Sequence, residues 1–341
     1  MMNYRGPEMA ALLSGLVSKL QAFVGTRHEV ALLTTSGTGG LEAALVNVLS
    51  PGDRVIGVDG GVFGKRFCHI AEAYGASVRT LAVEWGTSVS PDALRRVLSE
   101  EPNCRAVLLT QNETSTASVH PLEELCRVVR ESSDACLLVD AVSSLGAMPL
   151  PMEAWGVDVV VTGSQKAWGV PPGMAMLFLS ERFWSFRSEA KMPRFFFDLE
   201  RYRSAQKRGS FPFTPALPIV FALDVALDFM LEETAEGVFA RHERLARLAR
   251  SRVEASGLER FGGEDYPSPT VTAMRLPAGV DEQVLVDRLR TRHDTVLARG
   301  QESLRGKILR LGHLGWVEEE DVDRAFDSLE LALREMGISS E

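Results

Sequence analysis

The chain has 341 residues, 45% of them hydrophobic and 24% charged, with a formal charge of −9. This length suits one large domain with a smaller companion, and the acidic balance excludes a nucleic-acid partner, which would need a basic face against phosphate. No apolar run of about 18 residues appears, which excludes a membrane-spanning helix, and the start MMNYRGPEMAALL lacks a secretory pattern, so the expected compartment is the cytoplasm.

EVALLTTSG reads as a strand and GLEAALVNVL as the helix after it. DRVIGVDG is a second strand, followed by KRFCHIAEAYG with helical apolar spacing. ASVRTLAVE, RAVLLTQ, ACLLVDAVSS, DVVVTGSQK and MAMLFLS continue the series as short β-rich runs. Continuously apolar strands are buried on both faces, so the sheet is expected to be mostly parallel with helices on each side. That is a three-layer α/β domain, with its active residues in loops beyond the strand carboxyl ends.

KMPRFFFDLERYRSAQKRGSFPFTPALP mixes aromatic, basic and proline residues without clear period and reads as an ordered excursion near the site. FALDVALDFMLEE and FARHERLARLARSRVEAS read as long helices. The remainder, from TVTAMRLP through KILRLGHLG to VDRAFDSLELALREM, predicts a small α+β domain. The expected division is 1–233 and 234–341. Cys68, Cys104, Cys126 and Cys136 show no metal spacing and read as buried thiols. No metal site is expected.

Three features could carry chemistry. TTSGTGG at residues 34–40 joins a strand to a helix, where glycines and free N–H groups favour an anion, although such a turn can also be only a turn. Asp140 ends the apolar run CLLVD, and either caps the next turn or meets a buried positive group. Lys166 follows DVVVTGSQ, and either snorkels to solvent or is paired or modified. A phosphate cradle, a buried aspartate and a buried lysine are together the anchors that pyridoxal phosphate requires, with the lysine forming an imine.

The segments SGTGGLEAALVNVL, NETSTA, LLVDAVSSLGA, GSQKAWGVPPGMAM, FTPALPIVFAL and GKILRLGHLG, in this order, resemble the class V aminotransferases of pyridoxal-phosphate fold type I, and within them the alanine/serine–glyoxylate group. The resemblance runs from about Asn3 to the C-terminus. It implies a large cofactor-binding domain, transfer of an amino group from alanine, serine, aspartate or a similar donor to glyoxylate or pyruvate, and a homodimer with shared sites. By position it implies that Thr38, Gly39, Gly40 and Gln165 bind phosphate, Phe63 stacks on the cofactor ring and Val142 lies under it. Ser115 would sit near the ring hydroxyl, Asp140 would pair with the ring nitrogen, and Lys166 would be the imine lysine and proton shuttle. Thr214 would reach the phosphate of the second subunit, and Arg310 would hold the substrate α-carboxylate by a bidentate fork. His313 is expected to be structural.

Some positions depart from the family pattern. Relatives carry an earlier segment with a Pro-Gly-Pro turn, whereas this sequence starts at the following feature, NYRGPE; the expectation is a late recorded start or a more open substrate pocket. Phe211 replaces a tyrosine of some relatives. Arg299 replaces a glycine, and either offers a second cation to a dicarboxylate or phosphonate donor, or points to solvent or pairs with Glu302. A lyase, epimerase or replacement enzyme on the same fold is the alternative chemistry. A desulfurase is disfavoured, because Gln165 rather than histidine precedes Lys166. A non-catalytic relative is disfavoured because Lys166, Asp140 and Arg310 are all present.

Overall fold

The computed structural model describes residue 3 and residues 5–338; Met1, Met2, Tyr4, Ser339, Ser340 and Glu341, at the ends of the two sequence-read domains, lie outside the described residues. The chain opens with α1 (Pro7–Val24), β1 (Glu29–Leu33) and α2 (Gly37–Val46), then β2 (Arg54–Asp59), α3 (Val62–Ala73), β3 (Ser77–Ala82) and α4 (Pro91–Glu100). β4 (Ala106–Thr110) runs into a short hairpin, β5 (Asn112–Glu113) with β6 (Ser118–Val119), before α5 (Leu122–Ser132), β7 (Cys136–Asp140) and α6 (Met152–Trp155). β8 (Val159–Gly163), β9 (Ala175–Leu179), α7 (Glu181–Glu189), α8 (Leu199–Gln206) and α9 (Leu217–Glu233) complete the larger layer system.

Seven of these strands form one sheet in the order β1-β9-β8-β7-β4-β2-β3. β3, β2, β4, β7 and β8 are parallel, whereas β9 is antiparallel to both its neighbours. Side chains alternate across the sheet, so each strand feeds two cores. In β7, Leu137 and Val139 join α1, α4, α5 and α9 on one face, while Cys136 and Leu138 join α2, α3, α7 and α8 on the other. Apolar residues at consecutive positions are thus explained by two covered faces, as the continuous runs predict. The fold is the three-layer α/β architecture, with a mostly parallel sheet.

The aromatic segment after residue 190 holds one unforeseen helix. Asp198 caps α8 by accepting from Glu200 N and pairs with Arg187 at 2.8 Å. Phe196 stacks on Phe213 with centroids 4.9 Å apart, which closes the excursion on itself.

α10 (Ala235–Ala255) follows Thr234, whose backbone takes φ 72° and whose hydroxyl accepts from Gly237 N. Val238 in its first turns packs into the core of the larger sheet, while Leu245, Ala249 and Val253 pack into a separate core. The chain continues through β10 (Arg260–Phe261), β11 (Val271–Arg275), α11 (Glu282–Arg292), β12 (Ala298–Arg299), β13 (Ile308–Gly312) and α12 (Glu319–Glu335), of which β11, α11, β13 and α12 contribute to that second core. The four strands form an antiparallel sheet in the order β10-β11-β13-β12. Among the described residues no helix is long and apolar enough to cross a membrane.

Candidate active site

The carboxyl ends of β1, β2, β4, β7 and β8 share one edge of the large sheet, where parallel strands release their loops. After β1, Ser36 caps α2 by accepting from Gly39 N at 3.4 Å. Gly40 N bonds to Ser36 O, while the N–H groups of Gly37 and Thr38 find no acceptor among the described residues. A Cβ on Gly37 would stand 2.7 Å from Val142 Cγ2, so the turn must be glycine to lie against Val142. Gly39 and Gly40 are buried and Thr38 is half-buried, which brings the sequence-read cradle and Val142 together.

Asp140 ends β7 with 4% exposure. One carboxyl oxygen accepts from Val142 N at 2.9 Å, and the other has no donor among the described residues. Burial pushes the carboxyl up to about 7; Glu113 adds to this, and Lys166 and Arg66 oppose it. An incompletely partnered buried carboxylate calls for a cation.

Lys166 is placed by the connection from β8 to β9. Trp168 Nε1 donates to Thr162 Oγ1 at 3.0 Å inside the core, and Ser164 Oγ donates to Pro171 O at 2.8 Å. The half-buried Lys166 amine has no acceptor among the described residues. Burial lowers its pKa, the charge of Asp140 raises it, and that of Arg310 lowers it further. Gln165 is exposed and folds back over Gly163.

Phe63 lies in the first turn of α3, half-buried, with the Arg66 guanidinium 5.0 Å from its ring centroid. Arg310, on β13, is 9% exposed and comes to the same edge from the smaller sheet. Its Nη1 donates to Thr114 O at 2.8 Å, and Nε and Nη2 donate to Arg299 O at 3.2 and 2.9 Å. Of the five guanidinium N–H groups, one on each terminal nitrogen is left without an acceptor among the described residues. Burial lowers the Arg310 pKa and Glu113 raises it.

The structure redraws the pairing of Arg299 and shows how Ser115, Thr214, Phe211 and His313 are held. Ser115 is fully buried, and its hydroxyl donates to Glu113 Oε1 while accepting from Val62 N at 2.9 Å. Its one proton is therefore spent inside the chain; Thr114, half-buried beside it, is the more open residue of NETSTA. Arg299 pairs not with Glu302 but with Glu282 at 2.6 Å and with Gln283, while Glu302 pairs with Lys65 at 2.7 Å. Thr214 is exposed, with no side-chain partner among the described residues. Phe211 is buried in the core of the large sheet. His313 is buried, its Nε2 lies 2.9 Å from Thr272 Oγ1, and burial lowers its pKa to about 3. Sequence reading passed over Glu113, although it is the one charged residue between Arg105 and Glu123.

These groups fit pyridoxal phosphate. The open N–H groups of Gly37 and Thr38 suit a phosphate, the spare oxygen of Asp140 suits a ring N–H, and the unpartnered amine of Lys166 suits a carbonyl carbon.

The aminotransferase class-V family matches residues 2–324. A protein named soluble hydrogenase, small subunit, from Synechococcus sp. is 37% identical over 341 residues, covering 99% of this chain and 88% of the relative. The L-aspartate–glyoxylate aminotransferase of Paracoccus denitrificans is 32% identical over 341 residues, covering 98% of this chain and 86% of its own. The crystal structure of an alanine–glyoxylate aminotransferase from Nostoc sp. superposes with a TM-score of 0.93 at 30% identity, covering 98% of this chain and 89% of that one. This chain belongs to the class-V aminotransferases, and is a pyridoxal-phosphate-dependent aminotransferase of fold type I.

Proposed function

We propose that this class-V aminotransferase moves the amino group of a small amino acid (alanine, serine or aspartate) to glyoxylate or pyruvate, with Lys166 as its catalytic residue. One arrangement carries the reading: Asp140 ends β7 with an oxygen that has no donor among the described residues, Lys166 follows the neighbouring strand β8, and Arg310 reaches the Thr114 carbonyl beyond β4, on the other side of β7. A lysine, a carboxylate and a carboxylate-binding arginine then meet at a single place.

Thr38, Gly39, Gly40, Phe63, Asp140, Val142 and Gln165 would hold the cofactor, with Thr114 beside them. Bound there, pyridoxal phosphate supplies a sink for the electron pair left at the substrate α-carbon. Arg310 takes the α-carboxylate with its two remaining N–H groups, while the carbonyls of Thr114 and Arg299 fix its plane. Burial holds the Lys166 amine below the ordinary lysine value, so more of it is free base and able to take and return the α-proton. Glu282 and Gln283 occupy Arg299, which favours an uncharged donor, alanine or serine, over aspartate.

Thr214, exposed on its own chain, suits a contact with the site of a second copy, and we read the protein as a homodimer with shared sites. The four cysteines are free and buried, as suits a reducing cytoplasm. Residues 1–233 would bind the cofactor, and 234–341 would bring Arg310 to it.

The test is a half-reaction. Alanine, serine or aspartate is added singly to the cofactor-loaded protein and the visible absorption is followed. The expected result is bleaching by at least one donor, reversed by glyoxylate or pyruvate. A spectrum inert to every donor and every 2-oxo acid would overturn transamination. Product formed in excess of the enzyme without any oxo acid would favour the lyase chemistry instead.

A further inference from the structure

α3 is preceded by Gly61, which has no side chain to cap the helix, and Val62 and Gly64 in its first turn are buried. The N–H groups of that turn need acceptors from elsewhere in the chain. Glu113, fully buried on β5, provides them: Oε2 accepts from Phe63 N at 3.0 Å and from Gly64 N at 2.9 Å. Oε1 accepts from Ser115 N at 3.1 Å and Ser115 Oγ at 2.5 Å, and that hydroxyl in turn accepts from Val62 N. A Cβ on Gly61 would stand 2.5 Å from Glu113 Cδ and Cγ, so the carboxylate reaches the helix only because this position is glycine. The next carbonyl along the chain, that of Thr114, accepts from Arg310 Nη1.

We propose that Glu113 is a positioning residue that sets the cofactor-stacking ring of Phe63 and the substrate arginine, Arg310, in one fixed relation. The inference rests on the function proposed above and deepens it. Four donors converge on a carboxylate that itself donates nothing, which suits an ionised acceptor at a helix start. Glutamine keeps the shape, but its NH2 would face either the two α3 N–H groups or the Ser115 donors. One pair would lose its acceptor, and the hairpin would shift against α3. Because the hairpin carries the Thr114 carbonyl, Phe63 and Arg310 would be disturbed together. Glu113 is not a catalytic residue in this scheme.

The experiment uses the full chain with Glu113→Gln, with Ser115→Ala as a milder second variant. Asp158→Asn serves as control, since that buried carboxylate accepts from Leu137 N and Arg130 elsewhere in the fold. Four readouts are taken: affinity of the cofactor-free chain for pyridoxal phosphate, visible circular dichroism of the loaded chain, amide exchange at Val62–Gly64, and KM against kcat for alanine. Glu113→Gln is expected to weaken both cofactor affinity and KM by about tenfold, the loss for an unmade bond to a charged group. It should also change the visible dichroism and speed exchange at the start of α3. Ser115→Ala should do the same more weakly, and it carries the test alone if Glu113→Gln does not fold.

Asp158→Asn should lower the melting temperature without moving the other readouts. The proposal is overturned if the variants behave like this control, with cofactor affinity, KM and dichroism all within twofold of wild type. A wild-type chain that binds cofactor but does not transaminate counts against the proposed function only. Cofactor affinity, dichroism and exchange would still decide the role of Glu113.

Discussion

The carboxyl edge of the seven-stranded sheet and the strands of the four-stranded sheet treat buried charge differently. On the first, Asp140 keeps an oxygen without a donor and Lys166 keeps an amine without an acceptor among the described residues. On the second, Arg310 is braced by two backbone carbonyls and Arg299 is closed off by Glu282 and Gln283. A buried polar group left short of partners is unfavourable unless something outside the chain completes it. The large sheet is thus unfinished at Asp140 and Lys166, where we propose that the cofactor binds, and the small sheet is nearly finished at Arg310 and Arg299. On the function proposed above, cofactor groups would be held by deficit and the substrate group by prior orientation.

The sharpest break of this contrast is at Lys166. Lys166→Ala should lower turnover by at least about a thousandfold, within the range for loss of a positioned proton carrier. Turnover within tenfold of wild type would remove Lys166 from the chemistry.

Next comes Asp140 in the cofactor-free chain. Its carboxyl titrates near 7 when folded, against 3.8 as the ordinary value. Between these values the folded state holds the extra proton, so stability falls as pH rises through that window, and the full penalty is present above it. About three pK units at 1.36 kcal/mol each give roughly 4 kcal/mol. About two of these pK units, roughly 3 kcal/mol, lie above pH 5, so urea unfolding at pH 5 and pH 8 should show that part of the fall in wild type and its loss in Asp140→Asn. A slope unchanged by the substitution would contradict the deficit.

On the small sheet, Arg310→Lys should raise KM for the amino donor about thirtyfold, roughly 2 kcal/mol for the lost second arm of a charged hydrogen-bond pair. The smaller change should be in kcat, and steady-state kinetics with alanine separates the two. The smallest effect is expected at Arg299. Arg299→Gln should change KM for alanine and for aspartate by less than about fivefold, the scale of a part-exposed ion pair. A selective loss of aspartate would show that this arginine leaves Glu282 to meet substrate.

Asp140 and Lys166 were legible because each is a charge at the end of an apolar strand, a local signal. The layers were legible too, since runs such as CLLVD and DVVVTG have no polar face to turn to solvent. Direction was not: MAMLFLS reads alike whether β9 runs with its neighbours or against them. Partners set far along the chain were also hidden. Arg299 has Glu302 three residues away but pairs with Glu282, which α11 brings alongside. Ser115 looked available, but its hydroxyl donates to Glu113 and accepts from Val62 N at the start of α3. The helix α8 was hidden because packing among Phe196, Tyr202 and Phe213 sustains it rather than a clean apolar period.

The reversal of β9 has a consequence for the order of assembly. Because β8 and β9 are antiparallel neighbours, with Gly163 opposite Ala175, Lys166 sits on a connection closed by strands close in sequence. Arg310 instead depends on Thr114, 196 residues away. The entropy of closing a loop grows with its length, and distant contacts form slowly. Lys166 is therefore expected to find its place before Arg310, which needs the contact with Thr114. A chain halted between those stages would have its lysine in position but no means of holding an amino acid beside it.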